Sequence, residues 1–253
     1  MMKNNTMTDE LIERLVYLKL PWIRENYEQL ATRAAENNSS HVDFLAHLIE
    51  GETHLRMDRA TQRRIKAARF PVIKTIDTYD WTWPAKINRS QIQNLFRLQF
   101  IEKKQNVIFI GGVGLGKTHF GIALGYQACL EGHRTLFTSA AEIINALSAA
   151  QKARRLKAEL ARYLRPDLLV VDELGFIPID KHGADLLFQV ISQRYEQGAI
   201  ILTTNKAFKK WPSIFNNDSV VTSAILDRLL HHADTVTIEG KSYRMKDRIE
   251  PQS

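Results

Sequence analysis

The sequence predicts an α/β fold: a parallel sheet flanked by helices, preceded by a small all-helical N-terminal domain. Three observations carry this prediction. Residues 9–69 place apolar side chains at helical spacing and contain no strand-like run. Beyond residue 100, short apolar runs alternate with helical segments, the pattern of strands joined by crossover helices. The first of those runs opens into VIFIGGVGLGKTHFGIAL, an apolar strand, a glycine-rich loop and the start of a helix.

Taken in order, Leu11, Leu15 and Leu18 mark a first helix, Pro21 interrupts, and Trp22, Ile23, Tyr27 and Leu30 mark a second. In the linker ENNSS, Ser40 is a helix cap with Asp43 as the acid three residues on. Phe44, Leu45, Leu48 and Ile49 are the expected buried stripe of the helix that follows. The same helix continues through Arg56, Arg59, Arg63 and Lys66, whose spacing puts them on one face. The first domain is drawn at 1–69 and the second at 70–253, with 70–103 as an extended aromatic linker and a first helix. DTYDWTWP is too aromatic for a free linker and is expected to pack on the second domain, with base stacking by Trp81 and Trp83 as the alternative.

A helix is expected over Arg89–Ile101, strands at Val107–Ile110 and Thr135–Thr138, and a helix over Ala140–Tyr163. Next come a strand within Asp167–Gly175, a helix over Ala184–Glu196 and a strand at Ala199–Thr203. A helix over Ser219–His231 and a strand at Thr235–Ile238 complete the pattern.

The 44% hydrophobic content is ample for a packed core. The longest apolar runs are about five residues, far short of the roughly 20 that cross a bilayer. The polar start MMKNNTMTDE is no signal peptide, so a cytoplasmic protein without membrane contact is expected. A single cysteine, Cys129, leads to the expectation that disulfides and zinc clusters are excluded. The formal net charge is +7, and its distribution suggests a polyanionic partner. Arg56, Arg59, Arg63, Arg64, Lys66, Arg69 and Lys74 face Asp58 alone within residues 53–74, and Lys152, Arg154, Arg155, Lys157, Arg162 and Arg165 face Glu159 alone within 151–165. In the first of these clusters, like charges at helical spacing repel unless a phosphate backbone screens them, which favours DNA contact over a merely solvated face.

The glycine-rich loop fits G-x-x-x-x-G-K-[ST], with Gly111, Gly116, Lys117 and Thr118 in the fixed places. Glycines let successive backbone N–H groups turn around an anion at a helix N-terminus. The predicted nucleotide-binding residues are Gly111, Gly112, Val113, Gly114, Leu115, Gly116, Lys117, Thr118 and His119. Lys117 would reach the β and γ phosphates of ATP, and Thr118 would hold a magnesium ion. Two more strand ends meet this one. Asp172 follows LLVV and would orient the magnesium, Glu173 is placed as general base, and Asn205 would orient water or contact the γ phosphate. Arg228, beside Asp227 on a helix, reads either as an exposed ion pair or as an arginine completing a neighbour's site.

These residues, with DELGFIPID, LFQVISQRYEQG, TTNKAFKKW, ILDRLLHHAD and GKSYR, resemble the AAA+ ATPases of the initiator and helicase-loader clade, and within it the IstB-like transposition helpers of insertion sequences. The resemblance covers nearly the whole chain. It implies that Arg228 is an arginine finger acting in trans and Asn205 a sensor, and that the basic helix of residues 140–163 touches DNA. It also implies ATP-dependent homo-oligomers on duplex DNA that recruit a cognate transposase. Val113 departs from the proline of many relatives, and the chain ends soon after Arg244, so a lid is expected to be absent or minimal and Arg244 to be a weak sensor candidate. The runner-up function is a replicative helicase loader. A third possibility is a nucleotide-gated DNA scaffold with negligible turnover.

Overall fold

The computed structural model describes residues 3–83 and 85–243, so Arg244 and Pro84 lie outside the described residues. Contacts divide the chain into two compact units, Met1–Arg63 and Arg64–Ser253. The division falls inside a helix rather than at residue 70. The last turn of that helix belongs to the second unit, where Ala68 is fully buried and Arg64 Nε donates to the carbonyl of Cys129 at 2.9 Å.

In the first unit, α1 (Lys3–Tyr17), α2 (Pro21–Glu36) and the part of α3 (His41–Ala68) up to Arg63 pack around Leu15, Ile23 and Leu48. Proline opens α2, where its missing N–H costs nothing. Ser40 caps α3 as expected: its Oγ accepts from Asp43 N at 3.1 Å and donates to the Asp43 carboxylate at 2.7 Å. The buried stripe is narrower than the sequence suggests. Phe44 and Leu48 turn inward, but Leu45 and Ile49 are 57% and 52% exposed, and of the leucines on α1 only Leu15 is buried. Three helices offer α3 partners on one side only, and Leu45 and Ile49 lie about 100° round from Phe44 and Leu48.

Glu52 supplies what the α2 N-terminus lacks. Leu20 precedes that helix and cannot cap it, so the nearly buried Glu52 carboxylate accepts from Trp22 N at 2.9 Å and Ile23 N at 3.3 Å. The same carboxylate holds Arg56 Nε at 3.1 Å, and Arg56 Nη2 donates to the carbonyl of Lys19 at 2.7 Å. Arg56 is therefore engaged in holding helices together, a correction to its reading as an uncompensated member of the basic ridge. Arg59, Arg63 and Lys66 are exposed.

The second unit is a six-stranded sheet in the order β1-β6-β2-β5-β4-β3, with β1 (Ala85–Lys86), β2 (Asn106–Gly111), β3 (Thr135–Ser139), β4 (Leu168–Leu174), β5 (Ala199–Thr204) and β6 (Ala233–Gly240). β1 is antiparallel to β6, and the other five strands are parallel. The strands alternate sides. Leu168, Val170 and Ile201 join Phe120 and Leu124 in one core, whereas Leu169, Val171 and Leu202 join Ile143, Leu187 and Trp211 in the other. The first face is covered by α4 (Arg89–Leu95), α5 (Gln99–Glu102) and α6 (Lys117–Leu130). The second is covered by α7 (Ala140–Lys152), α8 (Leu156–Leu164), α9 (Lys181–Arg194) and α10 (Ser219–Leu230).

Two expected helices are broken. Residues 89–101 form α4 and α5, separated at Leu98 with φ +57°. Residues 140–163 form α7 and α8, separated around Arg154 with φ +56°. The segment Ala153–Arg155 has no large apolar side chain to bury, so the chain turns there and α8 brings Leu160 and Tyr163 back into the core that holds Ile143 and Leu147 of α7. The aromatic linker packs on the second unit: Tyr79 and Trp81 lie against the first core, and the buried Trp83 donates from Nε1 to the carbonyl of Lys241 at 2.8 Å. No helix among the described residues is long and apolar enough to cross a membrane.

Candidate nucleotide site

β2 ends in the loop that turns into α6. Gly114 and Gly116 have φ of +75° and +89°, a region that side chains rarely adopt. A Cβ at Gly116 would also lie 2.6 Å from the Tyr79 ring. The loop is held at its outer side by Tyr243 N, which donates to the carbonyl of Gly114 at 2.9 Å, and Lys117 Nζ donates to the carbonyl of Gly112 at 2.6 Å. Only 6% of Lys117 is exposed. An ammonium this enclosed is stable only beside oxygen acceptors, which the loop carbonyl supplies here.

Above the loop lies a cavity of about 510 Å³, within the range of small-molecule sites. Val113–His119 and Ile122 form its floor, Val72, Lys74, Tyr79 and Trp83 of the linker one wall, and Glu173, Phe176 and Thr203 another. Tyr243 also lines it.

The strand ends meet beside Thr118. Its Oγ1 donates toward Asp172 Oδ1 at 3.0 Å and Oδ2 at 3.1 Å, and Thr203 Oγ1 donates to the same carboxylate. Thr203 Oγ1 in turn accepts from Glu173 N at 3.0 Å. Asp172 is buried and Glu173 is exposed to the cavity, although they are neighbours on β4. The register against β5 explains this: Val171 pairs with Leu202 and Leu174 with Thr204, so β4 carries one extra residue there, and Glu173 sits at φ +62°. A bulge of this kind re-aims one side chain. The hydroxyl and carboxylate of Thr118 and Asp172 form a hard oxygen donor set that fits magnesium.

His119 stands at the linker side. Its Nε2 lies 2.8 Å from the carbonyl of Thr75, and its ring meets Tyr79 edge to face at 5.4 Å. Burial is the main cause that pushes its pKa below the ordinary histidine value; nearby Lys74 acts in the same direction, against the Thr75 hydrogen bond.

Five predicted members do not line the cavity: Gly111, Gly112 and Asp172, which adjoin or contact residues that do, and Asn205 and Arg228. Asn205 does not line the cavity, and its buried Oδ1 has no hydrogen-bond partner among the described residues. Arg228 does not line it either; its guanidinium lies 4.9 Å over the Phe188 ring and donates to the carbonyl of Ala224 at 3.1 Å. Sequence reasoning passed over Thr203, Tyr79 and Tyr243. Thr203 alone carried a signal, as a hydroxyl at the end of an apolar strand. Lys152, Arg154, Arg155 and Lys157 are all exposed, at the end of α7, in the turn after it and in the first turn of α8.

A parallel sheet in which β5 separates the loop strand from the Asp172 strand, with this loop and these strand ends, defines a phosphate-loop nucleotide-binding protein of the AAA+ type. Solved structures share the fold. Replication initiator DnaA, bound to AMPPCP and single-stranded DNA, superposes with a TM-score of 0.55 at 22% identity, over 68% of this chain and 52% of that one. DnaI superposes at 0.54 and 17%, over 70% and 92%. The family described as IstB-like ATP binding protein matches residues 13–251, and the chain belongs to that family. Relatives include the insertion sequence IS5376 putative ATP-binding protein of Geobacillus stearothermophilus, 38% identical over 96% of both chains. The IS232 putative ATP-binding protein of Bacillus thuringiensis subsp. berliner is 36% identical over the full length of both.

Proposed function

We propose that this protein is an ATPase accessory to transposition, which assembles on duplex DNA with little sequence preference and delivers a target site to a transposase. The observation that carries the catalytic part is the chain of contacts from Thr118 through Asp172 and Thr203 to the bulged Glu173. Lys117 would leave the Gly112 carbonyl for the β and γ phosphates of ATP. Thr118 and Asp172 would hold magnesium, which neutralises charge developing on the phosphates. Glu173, aimed into the cavity and free of metal duty, takes the proton of the attacking water. The water adds to the γ phosphorus as the β–γ bridging bond breaks, releasing ADP and phosphate.

Arg228 is assigned to the site of a neighbouring copy, which fits its position away from this chain's cavity. Asn205 is kept as a sensor whose unpartnered oxygen is available to a polar group. Arg59, Arg63 and Lys66, with Lys152, Arg154, Arg155 and Lys157, are the proposed phosphate-backbone contacts, and Arg56 contributes chiefly to helix packing. Full-length kinship with insertion-sequence proteins favours this reading over a helicase loader.

The test is ATP turnover with and without duplex DNA. Glu173→Gln should lower turnover by about 10²–10⁴-fold while the variant still binds nucleotide. Turnover unchanged in that variant would remove Glu173 from the mechanism. Binding to duplex DNA should weaken steeply with salt, and a clear preference for single strands would favour the helicase-loader reading.

A further inference from the structure

We propose that Glu196, His231 and His232 form a binding site for one divalent transition-metal ion of the zinc type, at the end of the sheet opposite the phosphate loop. The location follows from the strands. Glu196 stands just before β5, and the carbonyl of His232 accepts from Asn106 N at the start of β2 at 2.8 Å. The nucleotide cavity lies at the other ends of these strands.

Each of the three residues offers one ligand atom, and those atoms lie within 4.8 Å of one another; one ion at about 2.0–2.2 Å from each needs them roughly 3.3–3.6 Å apart, an approach that rotation of these exposed side chains supplies. His232 Nε2 is already 3.5 Å from Glu196 Oε1, and the two imidazole rings are 4.0 Å apart. A second layer is present too: Tyr195 Oη lies 2.6 Å from His231 Nδ1, and the two rings stack at 5.9 Å. Metal-binding imidazoles are commonly oriented through the other ring nitrogen in this way. Glu196 reaches the cluster because its backbone turns back at φ +57°.

Two imidazoles and one carboxylate select zinc, nickel or copper over magnesium, which prefers oxygen ligands. This site would therefore not compete for the ion assigned to Thr118 and Asp172. A fourth position is left for water or an external group. Bound metal would join the segment after α9 to the end of α10, the helices that carry Phe188 and Arg228.

The geometry stands without the hydrolysis mechanism, and the test is independent of turnover. Zinc is titrated calorimetrically into the full chain, freed of any affinity tag, without nucleotide and again in millimolar magnesium. One ion per chain, bound at micromolar concentration or tighter and unmoved by magnesium, is the expected result. Glu196→Gln and His232→Gln should each weaken it about 10-fold or more, with melting in metal-free buffer unchanged, and Thr118→Ala should leave it intact. An X-ray absorption edge showing nitrogen and oxygen neighbours without sulfur would agree. If the three residues form only an exposed ion pair, zinc binding will be absent or will survive both substitutions, and either result overturns the proposal.

Discussion

Replacing Thr203 by Val keeps the shape of the side chain and deletes one hydroxyl, which makes it a sharp probe of the site. Thr203 is 1% exposed, and its hydroxyl both donates to the Asp172 carboxylate and accepts from Glu173 N. The bond to a charged group is worth about 1.5–3 kcal/mol and the neutral one about 0.5–1.5, so the loss should total roughly 2–4 kcal/mol. At about 2–4 °C per kcal/mol for a domain of this size, the melting temperature of the full chain should fall by roughly 5–15 °C. Because Glu173 loses the contact that anchors its bulge, turnover should drop by about 100-fold while nucleotide binding persists, since the loop itself is untouched. Thermal melting, ATP turnover and nucleotide affinity measured on one preparation read all three quantities, and Thr203→Ser should restore them. A Thr203→Val variant that melts within a degree of the parent with unchanged turnover would refute the reasoning.

Glu52→Ala should destabilise the helical unit by about 2 kcal/mol, because two backbone N–H groups and Arg56 lose their acceptor. Faster hydrogen exchange at Trp22 and Ile23 in the full chain is the readout, and unchanged exchange would show that the cap is not needed. Gly198→Ala should cost about 1–3 kcal/mol, since a Cβ there would lie 2.5 Å from Arg194 Nη2. That guanidinium, with its pKa lowered to about 10 by burial, holds the carbonyls of Tyr163, Pro166 and Ala199, so it has little freedom to move; a melt at the parent's temperature would count against this. His119 has a lowered folded-state pKa, so the unfolded chain takes up its proton first as pH falls. Its contribution is complete above the ordinary histidine pKa of about 6.5 and should be lost progressively below it. The melting temperature of His119→Gln should accordingly depend less on pH below that value than the parent's, and parallel pH profiles would disprove the assignment.

The sequence by itself determined the parts whose physics is local. Strand runs such as LLVV, the spacing of the phosphate loop, and the cap at Ser40 depend on neighbours a few residues away. Asp172 and Glu173 could be picked out for the same reason, as acids at the end of an apolar strand. Tertiary structure alone decided what depends on partners far along the chain. The β4 bulge that separates the buried Asp172 from the exposed Glu173 exists through pairing with β5, and Thr203 matters because it stands opposite that bulge. Helical periodicity continued through Arg154 and Leu98, yet the chain breaks at both, because burial of Tyr163 and Phe100 outweighs uninterrupted helix. Charge counting along the chain left Arg56 exposed and unmatched; its actual acid is Glu52, which is drawn to the α2 N-terminus by donors 29 and 30 residues away. Period and motif report the forces a residue exerts on its own segment, whereas the choice of partner is settled only when distant segments compete for the same buried space.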